Sequence, residues 1–208
     1  MNRRLIIFVK NLIPGAVKTR LAKDIGIMGA LDVYKYLVEY TYEETKKIDV
    51  DKAVFYSEYI EIEDVFDASG AEEYELFIQK GNGLGERMSA AMDQSFDSYD
   101  KVVMIGSDCV ELTDKDIEEA FTKLDDFDVV VGPAKDGGFY LLGTNKFYAE
   151  LFEKKEYSHQ NVLQELLDEV DDLDLKIHLM KMKNDIDTLK DLKDSDIEFE
   201  FVDDADAD

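Results

Sequence analysis

The side chains best suited to chemistry in this 208-residue chain are acids and bases placed just after short apolar runs. Asp108 follows Val102-Val-Met-Ile105 and the pair Gly106-Ser107. Four apolar residues ending at a glycine read as a strand buried on both faces, and ligands of open α/β sheets bind at the carboxyl ends of such strands. A carboxylate there is placed to hold a metal, so Asp108 is the first candidate ligand. Lys18, Thr19 and Arg20 end a loop, Lys10 to Arg20, that follows the run Leu5 to Val9. Pro14-Gly15 marks a turn within it. A strand, a glycine-bearing loop and a helix start together cradle phosphate through free backbone N–H groups, and two cations and a hydroxyl strengthen that reading. Lys10, Gly15, Lys18, Thr19 and Arg20 are therefore the candidate phosphate-binding set, with Lys18 and Arg20 also as catalytic cations. Asp185 and Asp187 stand two apart, a spacing that in extended chain turns both carboxylates to one side. Both could address one metal, although a helix N-cap explains Asp187 equally well.

Two further loops carry glycines beside polar groups. Gly81-Asn-Gly-Leu-Gly-Glu-Arg-Met88 precedes an amphipathic stretch, and Gly83 and Gly85 would let backbone approach a ligand while Arg87 holds a phosphate. The spacing differs from the Gly-x-Gly-x-x-Gly dinucleotide fingerprint, which argues against an NAD site. Asp136-Gly137-Gly138 is a hairpin signal in its own right, and beside Lys135 it also suits contact with a sugar or an acceptor. Cys109 follows an apolar strand and reads as a small buried side chain. His159 reads as an exposed structural residue, and His178 falls on the polar phase of its strand.

These loops need a scaffold, and the apolar pattern supplies one. Strands are expected at Leu5–Val9, Ala53–Tyr56, Glu75–Gln79, Val102–Ile105, Asp128–Val131, Phe139–Leu142 and Leu175–Met180, the last at a sheet edge and Phe139–Leu142 running antiparallel. Helices are expected over 29–48, 84–96, 113–124, 146–154 and 158–170, with a short one after Asp187, and residues 58–72 should hold a short helix and loops. Thr113-x-x-Asp116 has the form of a capping box, so the acids of that helix read as caps and solvated faces. The chain length fits one domain over residues 1–193. The segment 194–208 carries eight acidic and no basic residues. Phe199 and Phe201 alternate with acids there, as in an edge strand, and the last six residues are expected to be disordered.

Lys+Arg is 24 and Asp+Glu is 49, a net charge of −25 that opposes binding to nucleic acid or an anionic membrane. A phosphate-bearing ligand must be drawn in by local cations and a divalent metal. With two His and one Cys, zinc is a poor fit, and oxygen donors point to Mg²⁺ or Mn²⁺. A single cysteine excludes an internal disulfide framework and fits a reducing cytoplasm. No signal peptide and no apolar segment of membrane-spanning length is visible.

Taken together, Lys18-Thr-Arg-Leu21, Gly83-Leu-Gly-Glu-Arg-Met88, Gly106-Ser-Asp-Cys109, Gly132-Pro-Ala-Lys-Asp-Gly-Gly-Phe-Tyr-Leu-Leu-Gly143 and Asp185-Ile-Asp-Thr188 resemble the family of small bacterial and archaeal GT-A-like transferases, the nucleotide-diphospho-sugar transferases. The resemblance covers residues 5 to about 192. Each motif is weak alone and their joint order is specific. The chain is more distantly similar to 2-phospho-L-lactate guanylyltransferases, which share the Lys/Arg loop, the Asp after the central strand and the closing Asp pair. The resemblance implies a three-layer α/β/α fold on a mixed, mainly parallel sheet. It also implies a metal held by Asp108, Asp185 and Asp187, and a small-molecule nucleotide donor with an acceptor not named by the sequence. Val110 stands where the family has Pro, and Phe139 where it has Tyr. The single glycine, Gly15, before Lys18 and Arg20 favours glycosyl over nucleotidyl transfer. A different class of protein, a non-catalytic nucleotide- or partner-binding module, would instead make the acidic surface its functional feature.

Overall fold

The computed structural model describes residues 1–62, 64–67, 73–153, 157, 159–195 and 197. The expected tail strand at Phe199 and Phe201, and the expected disorder of the last six residues, lie outside the described residues.

Seven strands form one sheet: β1 (Arg3–Val9), β2 (Asp51–Tyr56), β3 (Tyr74–Ile78), β4 (Lys101–Ile105), β5 (Val129–Pro133), β6 (Phe139–Thr144) and β7 (Ile177–Leu179). Their order across the sheet is β3-β2-β1-β4-β6-β5-β7. Every pairing is parallel except those of β6, which runs against both β4 and β5. The connection from β5 to β6 is the tight Asp136-Gly-Gly loop, and so short a loop can only join antiparallel strands. All seven expected strands are present, with β7 at the edge.

Strand alternation divides the core between the two faces. Leu5 and Ile7 of β1, Val54 of β2 and Val103 and Ile105 of β4 pack on one side against α1 (Ala22–Thr45) and α3 (Asp114–Lys123). Ile6, Phe55, Val102 and Met104 point to the other side, against α2 (Leu84–Phe96) and α4 (Val162–Asp172). Successive side chains of a strand face opposite ways, so near-continuous apolar runs give a sheet covered on both faces. The architecture is the three-layer α/β/α sandwich that the motifs imply.

Four local differences separate the helices from the expected ones. The first helix begins at Ala22 and ends at Thr45, earlier at both ends than the expected 29–48. It breaks at Gly26, whose φ of 77° and ψ of 164° are not helical. Of the expected helix over 146–154, the described residues form one 3-10 turn, Ala149–Phe152, and Lys154 lies outside the described residues. The fourth helix starts at Val162 rather than 158, and Ser158 lies outside the described residues. No helix forms among the described residues of 58–72. Asn11, buried at the end of β1, instead pins that segment: its side-chain oxygen accepts from the backbone N–H of Glu58 and its amide donates to the Tyr59 carbonyl. Among the described residues, no helix is long and apolar enough to cross a membrane.

Candidate active site

The carboxyl ends of β1 and β4, the hairpin loop after β5 and the segment before α5 (Leu189–Asp194) meet around a cleft of about 660 Å³. That volume lies within the range of small-molecule sites, roughly 300–1,000 Å³.

Lys18 lies at the floor of the cleft. Its side chain is 5% exposed, and its Nζ donates to Asp108 Oδ2 at 3.1 Å and to Asp187 Oδ1 at 3.0 Å. The residue is held with φ of 45°. That left-handed conformation is uncommon for a side-chain-bearing residue, and it bends the loop so that the ammonium faces inward. Burial lowers the pKa of this ammonium, but Asp108 and Asp187 outweigh burial and raise it well above its ordinary value. Desolvation in turn raises the Asp108 carboxyl, and Lys18 outweighs it, so that Asp108 titrates below the usual carboxylate range. Arg20 adds a looser contact, with NH1 3.6 Å from Asp187 Oδ2.

The segment 184–188 is tied to the central strand through its backbone. The Ile186 N–H donates to the Asp108 carbonyl at 3.0 Å, and the Cys109 thiol faces the Asn184 carbonyl at 3.6 Å. Those two contacts carry Asp185 and Asp187 to Asp108 across the length of the chain. The N-cap of α5 is Thr188, which forms a reciprocal capping box with Asp191. Asp187 is therefore not the cap, and its carboxylate is left to Lys18 and Arg20. Asp185 has a buried Oδ1 with no hydrogen-bond partner. Burial first, and then the Asp108 charge, push its pKa up. Cys109 is buried, and burial followed by the Asp185 charge raises its thiol well out of the nucleophilic range.

The structure sorts the remaining candidates by position. Lys10 and Thr19 line the cleft with Lys18 and Arg20, and Asp136 and Gly138 line its opposite side. Gly15 takes the turn with φ of 78° but is not part of the lining. Gly83, the N-cap of α2, also lies outside the lining. At Gly85 a Cβ would run into the Tyr157 ring and the Phe152 carbonyl, so this glycine serves packing between α2 and the following turn. Arg87 is likewise not in the lining; its Nε donates to the Gly81 carbonyl at 3.2 Å and closes the turn before α2. Gly137 has φ of 92°, and a Cβ there would meet the Gln160 carbonyl, so the hairpin sits against the start of α4. The Asp136 carboxylate folds back to accept from the Gly138 N–H at 2.9 Å.

Several lining residues carry no signal in the sequence. His159 and Gln160 face the cleft, although the sequence reads His159 as an exposed structural residue. Its Nδ1 accepts from the Asn161 N–H at 3.2 Å. Tyr34, on α1, joins the two central strands: its hydroxyl accepts from the Lys10 N–H at 2.8 Å and bonds Ser107 Oγ at 2.9 Å. Burial pushes this phenol up to about 12. Gln79 also lines the cleft and donates to the Phe55 carbonyl. Only the assembled sheet brings these side chains together, and no local spacing encodes it.

The geometry invites comparison with known proteins. A family model described as "Uncharacterized protein conserved in bacteria (DUF2064)" matches residues 41–159. The chain belongs to the DUF2064 family. This DUF2064 protein has no match among curated protein sequences. A crystal structure of a candidate nucleotide-diphospho-sugar transferase from Desulfovibrio desulfuricans G20 is 30% identical, with a TM-score of 0.83, covering 92% of this chain and 85% of that one. The inositol-1-phosphate CTP transferase from T. maritima shares 15% identity at a TM-score of 0.61, covering 91% of both chains. A CMP:2-keto-3-deoxy-manno-octonic acid synthetase complexed with CTP shares 11% at 0.57, covering 93% and 96%. At such identities the last two share the fold with the DUF2064 chain and nothing more specific. The comparisons support a transferase with a nucleotide-diphospho-sugar transferase fold.

Proposed function

We propose that this protein is a metal-dependent glycosyltransferase acting on a nucleotide-diphospho-sugar. The observation that carries the reading is Lys18, buried at the cleft floor and ion-paired to both Asp108 and Asp187. A cation and carboxylates drawn from three separate loops into one cavity form the arrangement that holds a phosphate chain and its counter-ion.

The donor set suits a hard cation. Asp108, Asp185 and Asp187 offer oxygens, which Mg²⁺ and Mn²⁺ prefer. The buried Oδ1 of Asp185 lacks any partner, as expected of an atom reserved for a ligand. Among the described residues no three acidic, His or Cys side chains converge at coordinating spacing. Lys18 stands between two of the three carboxylates, so these residues fit a metal by the chemistry of their oxygen donors and not by preformed geometry. A bound Mg²⁺ or Mn²⁺ would neutralise charge developing on the leaving diphosphate.

The chain's own groups do the rest. Lys18 and Arg20 hold the diphosphate, with Lys10 and Thr19 on the same wall. The acceptor binds across the cleft, where the exposed Asp136 carboxylate, Gly138, His159 and Gln160 offer hydrogen bonds. The acceptor's hydroxyl attacks the sugar carbon and gives up its proton to solvent, the bond to the diphosphate breaks, and the nucleoside diphosphate leaves against the cations. The three carboxylates and the net charge of −25 make the cleft hostile to an anion that arrives without a metal.

Nucleotidyl transfer is the second reading. The Lys18-Thr-Arg20 loop at the end of β1 resembles in sequence the Lys-Ser-Arg loop of the guanylyltransferases, and CTP-using enzymes share the fold. Phosphorus NMR of product mixtures separates the two. With a nucleotide-sugar donor, release of nucleoside diphosphate is expected. Release of pyrophosphate from a nucleoside triphosphate, with none of the former, would replace glycosyl by nucleotidyl transfer.

A further inference from the structure

A second buried lysine, Lys183, does not line the cleft but joins three of the segments that do. Met182 is 52% exposed and Lys183 beside it 6%, the reverse of the ordinary partition of these two side chains. A buried ammonium is costly unless it is bonded and paired, and this one is both. Its Nζ donates to the Glu111 carbonyl at 2.6 Å, in the connection between β4 and α3. It pairs with Asp116 Oδ2 at 3.0 Å, the carboxylate that closes the capping box of α3 with Thr113. The Tyr140 ring of β6 lies 5.9 Å from the same ammonium, and the Tyr140 hydroxyl donates to the Lys181 carbonyl at 3.0 Å. The backbone of Lys183 is tied to the end of β5. Its N–H donates to the Pro133 carbonyl and its carbonyl accepts from the Lys135 N–H, both at 3.0 Å, around a parallel bridge to Ala134. One residue thus connects the loop that carries Asp108, the strand end that opens the Asp136 hairpin, and the segment that carries Asp185 and Asp187.

We propose that Lys183 is a positioning residue of the cleft: its buried ammonium sets the register between the segment 183–188 and the loop after β4, and so holds Asp185 and Asp187 opposite Lys18. The inference rests on the reading of the cleft as the reacting site. Stability alone does not call for an ion pair here, because apolar side chains of similar volume in place of a buried pair are often neutral or stabilising. A methionine would fill the same space and bond neither the Glu111 carbonyl nor Asp116. What the ammonium adds is a fixed distance between two pieces of chain that are far apart in sequence. The segment has one direct backbone bond to the central loop, from the Ile186 N–H to the Asp108 carbonyl at 3.0 Å. A single bond of that kind leaves the segment free to pivot. Lys183 supplies the second point, and the two points bracket Asp185, with Asp187 one residue beyond. Reacting groups have to be held within roughly 0.5 Å of their working positions, and a segment held at one point does not meet that demand. Lys183 touches no group that would react, so it acts through the carboxylates it places.

The test combines amide hydrogen exchange, read by NMR on the full-length protein, with calorimetric titration of UDP-glucose, GDP-mannose, GTP and CTP in the presence of Mn²⁺. Two variants are compared with wild type: Lys183→Met, and Lys183→Met with Asp116→Asn. The second leaves no buried charge unpaired, and its amide oxygen still accepts from Thr113, so it keeps the test open if the first folds poorly. Lys181→Met removes the same charge from an exposed position of the same segment and serves as the control. In both Lys183 variants the Ile186 amide should exchange at least tenfold faster while Val130, in the core of β5, keeps its protection. The donor that binds wild type should bind both variants about tenfold more weakly, and Lys181→Met should match wild type in both measurements. Unchanged protection at Ile186 would overturn the inference. So would faster exchange at Ile186 with donor affinity intact, or an equal loss of protection at Ile186 and Val130 in both variants, which is the signature of a residue that only stabilises the fold. Absence of any donor binding to wild type would overturn the nucleotide reading instead, and the exchange rates at Ile186 and Val130 would still decide whether Lys183 sets the segment.

Discussion

At the residue scale, the site depends on side chains that fix the positions of others. Tyr34 is the clearest case. Its hydroxyl bonds both the Lys10 N–H and Ser107, next to Asp108, so one buried atom sets the spacing between the loop after β1 and the carboxylate after β4. Tyr34→Phe keeps the ring and removes that link, leaving the Lys10 N–H without its partner. A net loss of roughly 1 kcal/mol of stability is expected from denaturant unfolding, together with a rise in KM for the donor. Unchanged KM with lowered stability would make Tyr34 a packing residue only. The placement of Lys18, Arg20 and Asp108 in one cleft is legible in the sequence from their positions after buried strands, although Lys18-Thr-Arg20 alone would equally suit a solvated helix start. Tyr34, His159 and Gln160 are not. An aromatic on the buried face of a helix looks the same whether or not its hydroxyl reaches a loop, and the cleft position of His159 depends on how α4 docks on the hairpin.

At the scale of elements, the strands were readable because buried parallel strands are short continuous apolar runs bounded by glycine or acid. The helices were less so. Gly26 broke α1 at a conformation that periodicity does not register, and the apolar residues of 146–154 pack as one turn. The glycines of the second loop and the hairpin illustrate an ambiguity of residue type. Gly85 and Gly137 are required by Tyr157 and by the Gln160 carbonyl, and a ligand would require the same absence of a side chain. The short helix α5 carries its own prediction. Thr188 and Asp191 cap it reciprocally, which holds Asp187 out of the helix. Burial raises the Asp191 carboxyl, but hydrogen bonds from Thr188 and Asn184 outweigh it and the net shift is downward. A folded-state pKa below the unfolded one gives stability that is present above about pH 4 and is lost as the pH falls through the folded value. Thr188→Ala should cost about 1 kcal/mol at neutral pH and less in acid, and thermal melts from pH 7 to pH 3 would record the convergence. A cost that stays constant over that range would mean the cap does not depend on the carboxylate.

At the scale of the whole molecule, charge is the dominant fact. A net charge of −25 surrounds a cleft proposed to bind an anionic nucleotide. Screening by salt should therefore help the encounter, contrary to the usual weakening of anion binding. The Debye length falls from roughly 30 Å at 0.01 M to roughly 8 Å at 0.15 M ionic strength. The association rate for a metal–nucleotide chelate, followed by stopped flow, is expected to rise several-fold over that interval. A steady fall would mean that the local cations Lys10, Lys18 and Arg20 dominate the approach. The sheet order, with β6 antiparallel between β4 and β5, places the Asp136 loop beside the Asp108 loop. That adjacency makes a single cleft from motifs nearly thirty residues apart, and it is a property of topology rather than of any one motif.

The central claim is that Asp108 and its partners form a metal-dependent nucleotide site. Isothermal titration of UDP-glucose, GDP-mannose, GTP and CTP, with and without Mn²⁺, into wild type and Asp108→Asn tests it most directly. The account predicts binding of at least one donor that requires both Mn²⁺ and Asp108, with the preferred donor naming the group transferred. Binding that persists without metal and in Asp108→Asn would contradict it.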